Sequence, residues 1–167
     1  YTWNDSTYTQ SGTYSYNGQD LSNNYSMNFD GIDNFIDFGN DSLLFNTGLN
    51  SFTFHISFLL NDGSNIATNV YQSLFSKGGA GGAGNKGYVM DLRYDNGDVK
   101  LSAYIGAPNV SIQSNTAIQD LVWYDAFFVI DRQQQTLSLY LNGLLEQTVS
   151  ISSVGNMDNE WPLQMGR

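Results

Sequence analysis

The stretch Phe52 to Leu60 (FTFHISFLL) alternates without a break: Phe52, Phe54, Ile56, Phe58 and Leu60 take one side, and Thr53, His55 and Ser57 the other. Period-two alternation marks a strand with one buried face, and an apolar face this wide needs a second sheet to cover it. The run Leu121 to Val149 reads as three further strands. Trp123 to Asp131 is aromatic and β-branched, Arg132 to Gln135 is a polar break, and Leu137, Leu139 and Leu141 alternate with Ser138, Tyr140 and Asn142. Asn142-Gly143 is a strong hairpin signal, and Leu144 to Val149 is the return strand. Tyr88 to Tyr94 and Val99 to Ile105 form another alternating pair, joined by Asp95-Asn96-Gly97-Asp98.

Weaker patterns fill the rest. Tyr25 to Phe38 predicts two short strands around an Asp30-Gly31 turn, Val70 to Lys77 one strand, Val110 to Ile112 a short one, and Trp161 to Gly166 a last apolar segment. The count is about ten strands and no helix, which predicts an all-β fold of two packed antiparallel sheets. Asn61 to Asn69 reads as a polar loop, and the Gly/Ala run from Gly78 to Gly87 as a loop that is entropically costly to order.

Composition narrows the partners. The 167 residues make one domain the natural count, long enough to bury a full core without staples, and there are no cysteines. The net charge is −10, and the cations are only Lys77, Lys86, Lys100, Arg93, Arg132 and Arg167. Six scattered cations build no basic patch, so nucleic acid and anionic membrane surfaces are disfavoured. No run of 18 apolar residues exists to insert into a membrane. The start, YTWNDSTYTQ, carries no Met, basic segment or apolar core of a signal peptide, so the chain is expected to be a mature product or a segment of something longer.

Several motifs in fixed order carry a family resemblance: Phe29-Asp30-Gly31, the Phe52-Thr53 strand, the Trp123 strand, Tyr140-x-Asn142-Gly143 and Leu163-x-Met165-Gly166. Together they resemble the laminin-G-like, or concanavalin A-like, jelly roll over residues 25–167. The resemblance implies a two-sheet antiparallel β-sandwich used more often to hold sugars and surfaces than to do chemistry. In that family the Leu163–Gly166 segment is followed by a closing strand, so the domain is expected to lack its final strand and to leave an open sheet edge. Residues 1–24 read as a linker or the tail of a preceding repeat. Their Tyr1-Thr2-Trp3-Asn4 … Thr13-Tyr14 phrase resembles multi-repeat secreted bacterial surface proteins, which implies an extracellular or cell-surface location.

Glycoside hydrolases of this fold carry paired carboxylates on alternate residues of one strand, a spacing this chain lacks; its only glutamates are Glu146 and Glu160. His55, the only histidine, falls on the solvent side of its strand, and one His with no Cys makes no zinc or copper site. The 78–87 loop lacks the ending of a phosphate loop. Calcium is the cofactor that turn carboxylates and amides would suit. The candidates are Asp30 with Asp33, Asn61 with Asp62, and Asp95 with Asn96 and Asp98; of these, Asp30-Gly31 and residues 95–98 also read as plain turn signals. The resemblance, carried over by position, points to Asp62 first and Asn61 next.

A sugar site needs an aromatic platform beside amide and carboxylate hydrogen-bonders. Trp161 next to Asn159 and Glu160, and Tyr71 near the 61–69 loop, meet that need, whereas Trp123 is expected in the core. The expectation is a non-catalytic binding or adhesion module for carbohydrate, with calcium as an accompaniment. The rivals are a spacer or assembly subunit that meets neighbouring domains through its open edge, and a glycan-cleaving enzyme.

Overall fold

A computed structural model describes residues 2–3, 6–7, 26–66, 71–78, 86–106 and 108–166. Tyr25, Val70, most of residues 1–24 and the 79–85 part of the Gly/Ala run lie outside the described residues. The described elements, in chain order, are β1 (Thr2–Trp3), β2 (Ser6–Thr7), β3 (Ile36–Asp37), a one-turn helix α1 (Ser42–Phe45), β4 (Phe52–Leu59) and a 3-10 turn at Gly63–Asn65. Then come β5 (Tyr71–Lys77), β6 (Tyr88–Asp95), β7 (Asp98–Ile105), β8 (Val110–Ala117), β9 (Trp123–Asp131), β10 (Thr136–Leu141), β11 (Leu144–Ser150) and β12 (Leu163–Met165).

Among the described residues β1 and β2 pair only with each other. The rest forms a four-stranded sheet, β11-β10-β9-β4, facing a six-stranded sheet, β3-β12-β5-β6-β7-β8. Every neighbouring pair is antiparallel. The architecture is therefore an all-β, two-sheet antiparallel sandwich. Its core lies between the sheets: Phe128, Ile130, Leu137 and Leu139 from one, Met90, Leu101, Ala103 and Ile105 from the other, all essentially without exposed surface. Aromatic rings fill the gap near β4, where Phe54 stacks on Phe75 at 4.6 Å and Phe52 meets Tyr88 at 5.1 Å. Offset and tilted ring pairs of this kind add to the burial of their area.

A β-bulge joins the two sheets along one side. Leu139 pairs with Gln147 and Tyr140 with Leu145, which leaves Glu146 as the extra residue of β11. Its carboxylate turns to the edge strand of the other sheet and accepts from the Asn115 and Thr116 backbone N–H groups (2.8 and 2.9 Å) and the Thr116 hydroxyl (2.8 Å). The sequence hides this clamp, because β8 is polar from Gln113 to Thr116 and extends to Ala117, well past the predicted Ile112.

Three other expectations change. The opening hairpin is a turn without its ladder, since only Ile36–Asp37 is a strand there. The Asp30 carboxylate accepts from the Ile32, Asp33 and Asn34 N–H groups (2.9, 3.2 and 3.2 Å) and so takes up donors that a paired strand would use. A short helix does form at Ser42–Phe45, capped by the Asp41 carboxylate on the Leu43 N–H. Trp123 is 55% exposed and not in the core. The alternation of β9 sends Tyr124, Ala126, Phe128 and Ile130 inward, which puts Trp123 on the outer side with Asp125.

A candidate ligand face on the six-stranded sheet

β5, β6 and β7 run side by side, and their outward residues form rows. Tyr71 is opposite Arg93 and Arg93 opposite Lys100; Ser73, Asp91, Ser102 and Gln113 make the next row; Ser76, Val89, Tyr104 and Ser111 the third. The inward residues of β6, Tyr88, Met90 and Leu92, belong to the core, so strand periodicity alone sends Asp91 and Arg93 to the opposite face.

Arg93 does not point straight out. Its guanidinium lies 4.5 Å from the ring centre of Tyr71 and 4.4 Å from that of Tyr104. Two aromatic faces hold the planar fork, a geometry that suits Arg and not Lys. Beneath it Asp91 is only 4% exposed and Ser102 1%. The Arg93 Nε sits 3.5 Å from Asp91 Oδ1, near enough to attract but not aligned as a hydrogen bond. Nε, Asp91 Oδ1 and Ser102 Oγ are all buried without a hydrogen-bond partner. Burial pushes the Asp91 carboxyl up to about 7, against the opposing pull of Arg93. Buried polar atoms in native proteins are almost always satisfied; here Asp91 Oδ1 and Ser102 Oγ lie unpartnered under a guanidinium whose own Nε is unpartnered too, which makes this face a candidate site.

The expected sugar-site residues do not converge. Tyr71 belongs to this face. Asn159 and Trp161 lie at the other end of β5, around Lys77. The Lys77 side chain has no exposed surface, and its ammonium donates to Asn40 Oδ1 (2.9 Å), Asn159 O (3.1 Å), Asn159 Oδ1 (3.4 Å) and the Trp161 carbonyl. Burial lowers the proton affinity of Lys77, and Asp158 opposes that. The Asn159 amide nitrogen donates to the carbonyls of Lys77, Lys86 and Met157 (3.4, 3.2 and 3.3 Å), while its Oδ1 accepts the Trp161 N–H (2.9 Å). Asn159 is thus occupied as a corner brace. The Trp161 indole stays 65% exposed beside it.

The expected calcium ligands share a rim but are engaged singly. The Asn61 amide donates to Asn28 Oδ1 (3.3 Å), which brings the Asp30 turn close to Asn61 and Asp62. Asp30 caps its own turn, and Asp62 Oδ1 accepts from the Ser64 N–H and hydroxyl (2.9 and 2.6 Å). Among the described residues no three His, Cys, Asp or Glu side chains gather in a metal-holding group.

His55 faces solvent, its ring stacked on Phe127 at 4.3 Å and its Nε2 3.1 Å from Asp125 Oδ1. The Ser57 hydroxyl donates to the same oxygen, and these two hydrogen bonds hold the Asp125 carboxyl below the usual range. Ser57 and His55 both serve Asp125 and not each other, so no nucleophile–base pair forms. Glu146 is the inter-sheet clamp, and Glu160 stands on an exposed turn.

Sequence reasoning missed Arg93, Asp91, Ser102 and Tyr104. The available signal was an acid and a guanidinium two residues apart on a strand, sharing a face with tyrosines on both neighbouring strands.

The fold has relatives among solved structures. No family model matches the chain, and no curated protein does. The binding domain of Paraclostridial Mosquitocidal Protein 1 is 21% identical, with a TM-score of 0.54 over 76% of this chain and 31% of that one. The CBM40 of Ruminococcus gnavus IT-sialidase, solved bound to α2,3-sialyllactose, is 16% identical, with a TM-score of 0.54 over 73% of this chain and 64% of that one. The botulinum neurotoxin serotype D binding domain is 14% identical, with a TM-score of 0.51 over 79% and 31%. The chain spans less than two thirds of the length of each. At these identities the likeness establishes the fold class, a β-sandwich also found in a sialyllactose-bound CBM40 and in the binding domains of two toxins.

Proposed function

We propose that the chain is a non-catalytic carbohydrate-binding module, of the laminin-G-like type that its motifs resemble, belonging to an extracellular bacterial surface protein. The observation that carries this reading is the outer face of β5–β7. There Tyr71 and Tyr104 hold Arg93 over Asp91 and Ser102, whose buried polar atoms lack partners. Aromatic faces suit pyranose rings, and the guanidinium, carboxyl and hydroxyl suit sugar hydroxyls and acid groups. The use of this fold in a module that binds sialyllactose supports the substrate class. The test is calorimetric titration with α2,3-sialyllactose and with lactose, on the natural chain and on Arg93→Ala. Saturable binding that the variant loses at least tenfold is expected; no binding of either glycan would contradict the reading.

Calcium at the Asp30, Asn61 and Asp62 rim is the second part of the proposal. The Asn61–Asn28 bond supports it by joining the two loops. Calcium there would pin those loops together. The measurement is thermal unfolding with millimolar calcium and after chelation, on the natural chain and on Asp62→Ala: a midpoint raised by mass action and insensitive to calcium in the variant supports it, and no shift removes it.

A spacer or assembly role remains the second reading. β4 ends its sheet, with β9 as its one strand neighbour among the described residues, which leaves an edge for a neighbouring domain.

A further inference from the structure

The carbohydrate reading leaves open why a buried carboxylate should sit 3.5 Å from the one guanidinium among the described residues of the face in an ion pair not aligned as a hydrogen bond. Asp91 is on a central strand, and charged or titratable groups approach it from two neighbours. β5 contributes the Tyr71 phenol; β6 contributes Arg93; β7 contributes Lys100 and the Tyr104 phenol, with Ser73, Ser102 and Gln113 uncharged in its own row. Lys100 is turned away, its ammonium 2.7 Å from the Asn115 carbonyl and 3.6 Å from Asp98. Among the described residues Arg93 is therefore the one cation that answers Asp91, and at 3.5 Å it is not aligned for a hydrogen bond.

We propose that Asp91 is an internal counter-ion for Arg93 that an acidic group of the ligand replaces, so that the face selects anionic over neutral glycans and holds them more tightly once Asp91 is protonated. The inference rests on the carbohydrate reading and adds its charge class and its pH dependence. With Asp91 ionised, the Arg93 charge is already partly matched, and a ligand carboxylate entering from the other side meets a like charge across the guanidinium. With Asp91 neutral, the whole charge of Arg93 is available to the ligand. The orphaned Ser102 hydroxyl in the same row gives the Asp91 acid group a neighbour to reorient towards. Linkage fixes the sign: an anionic ligand raises the proton affinity of Asp91, so binding takes up a proton and strengthens as pH falls. The carboxyl, already pushed up to about 7, titrates within the accessible range.

The experiment is the affinity for α2,3-sialyllactose and lactose at pH 5.5, 7 and 8.5, on the natural chain, Asp91→Asn and His55→Gln. Sialyllactose affinity is expected to fall roughly tenfold from pH 5.5 to 8.5, the effect of about one pH unit of linked proton affinity. Asp91→Asn is expected to bind with a flat profile near the low-pH level. His55→Gln, on the other sheet, should keep the natural profile, and lactose should bind more weakly at every pH. If sialyllactose binds the natural chain equally at all three pH values, or lactose matches it, the counter-ion inference falls and the carbohydrate reading stands. If neither glycan binds at any pH, both fall.

Discussion

Two buried charges in the six-stranded sheet have opposite surroundings. Lys77 ends β5 with four oxygen atoms around its ammonium, all from Asn40, Asn159 and Trp161. Asp91, in the middle of β6, has one misaligned cation and no hydrogen bond for Oδ1. Both sit on strands that their sequences predict well. A satisfied buried charge fixes geometry: Lys77 ties the 40 and 159–161 loops to β5. An unsatisfied one stores an interaction that something else can complete. The contrast separates a part of the sheet that braces the fold from the part proposed to meet a ligand.

The largest expected effect falls on the satisfied charge. Lys77→Met removes the ammonium and leaves four neutral oxygen acceptors without their donor at once, and should cost about 3–5 kcal/mol in denaturant unfolding. A loss below about 1 kcal/mol would remove the distinction between the two sites. Asp91→Asn should do the reverse. Burial holds the Asp91 carboxyl near 7, above the ordinary 3.8 of an aspartate, so its stabilising share is complete below about pH 3.8 and is lost as pH rises through 7. The variant should therefore gain on the natural chain between pH 4 and 7, by at most about 4 kcal/mol, read from paired thermal unfolding across that window. A constant difference between the two chains would place the Asp91 titration elsewhere.

Smaller effects sharpen the same contrast. Glu146→Ala opens the inter-sheet clamp and should cost about 1–3 kcal/mol in unfolding free energy, with glycan affinity changed little, because Glu146 is on the other sheet and its partners Asn115 and Thr116 are two strands from Arg93. Trp161→Ala removes an exposed indole from the braced corner and is expected to change glycan affinity less than twofold in the same titration; a loss of tenfold or more would move the binding site to Trp161.

The sequence made the sandwich legible where apolar residues alternate. β4, β6, β7, β9 and β10 fall within a residue or two of their predicted bounds, because each presents one face to the core. Prediction failed where backbone donors found side-chain acceptors. Asp30 caps its own turn and cancels the opening hairpin, while Glu146 reaches across to a polar strand whose pattern carries little hydrophobic signal. Trp123 misled because an apolar strand hides which face is outer. The candidate face was half legible. Tyr71 was found from its loop, but Arg93 and Asp91 gain meaning only when the β5–β6–β7 register lays Tyr71 and Tyr104 on either side. Asn159 looked like a ligand amide because sequence cannot show that protein carbonyls already occupy its nitrogen.

The most direct test of the central claim is backbone amide chemical-shift mapping during titration with α2,3-sialyllactose at pH 6. Perturbations clustered on Tyr71, Asp91, Arg93, Ser102 and Tyr104 are the predicted result. Perturbations confined to Asn159 and Trp161 or to the His55 face, or none at saturating glycan, would contradict the assignment of the outer face of β5–β7 as the binding site.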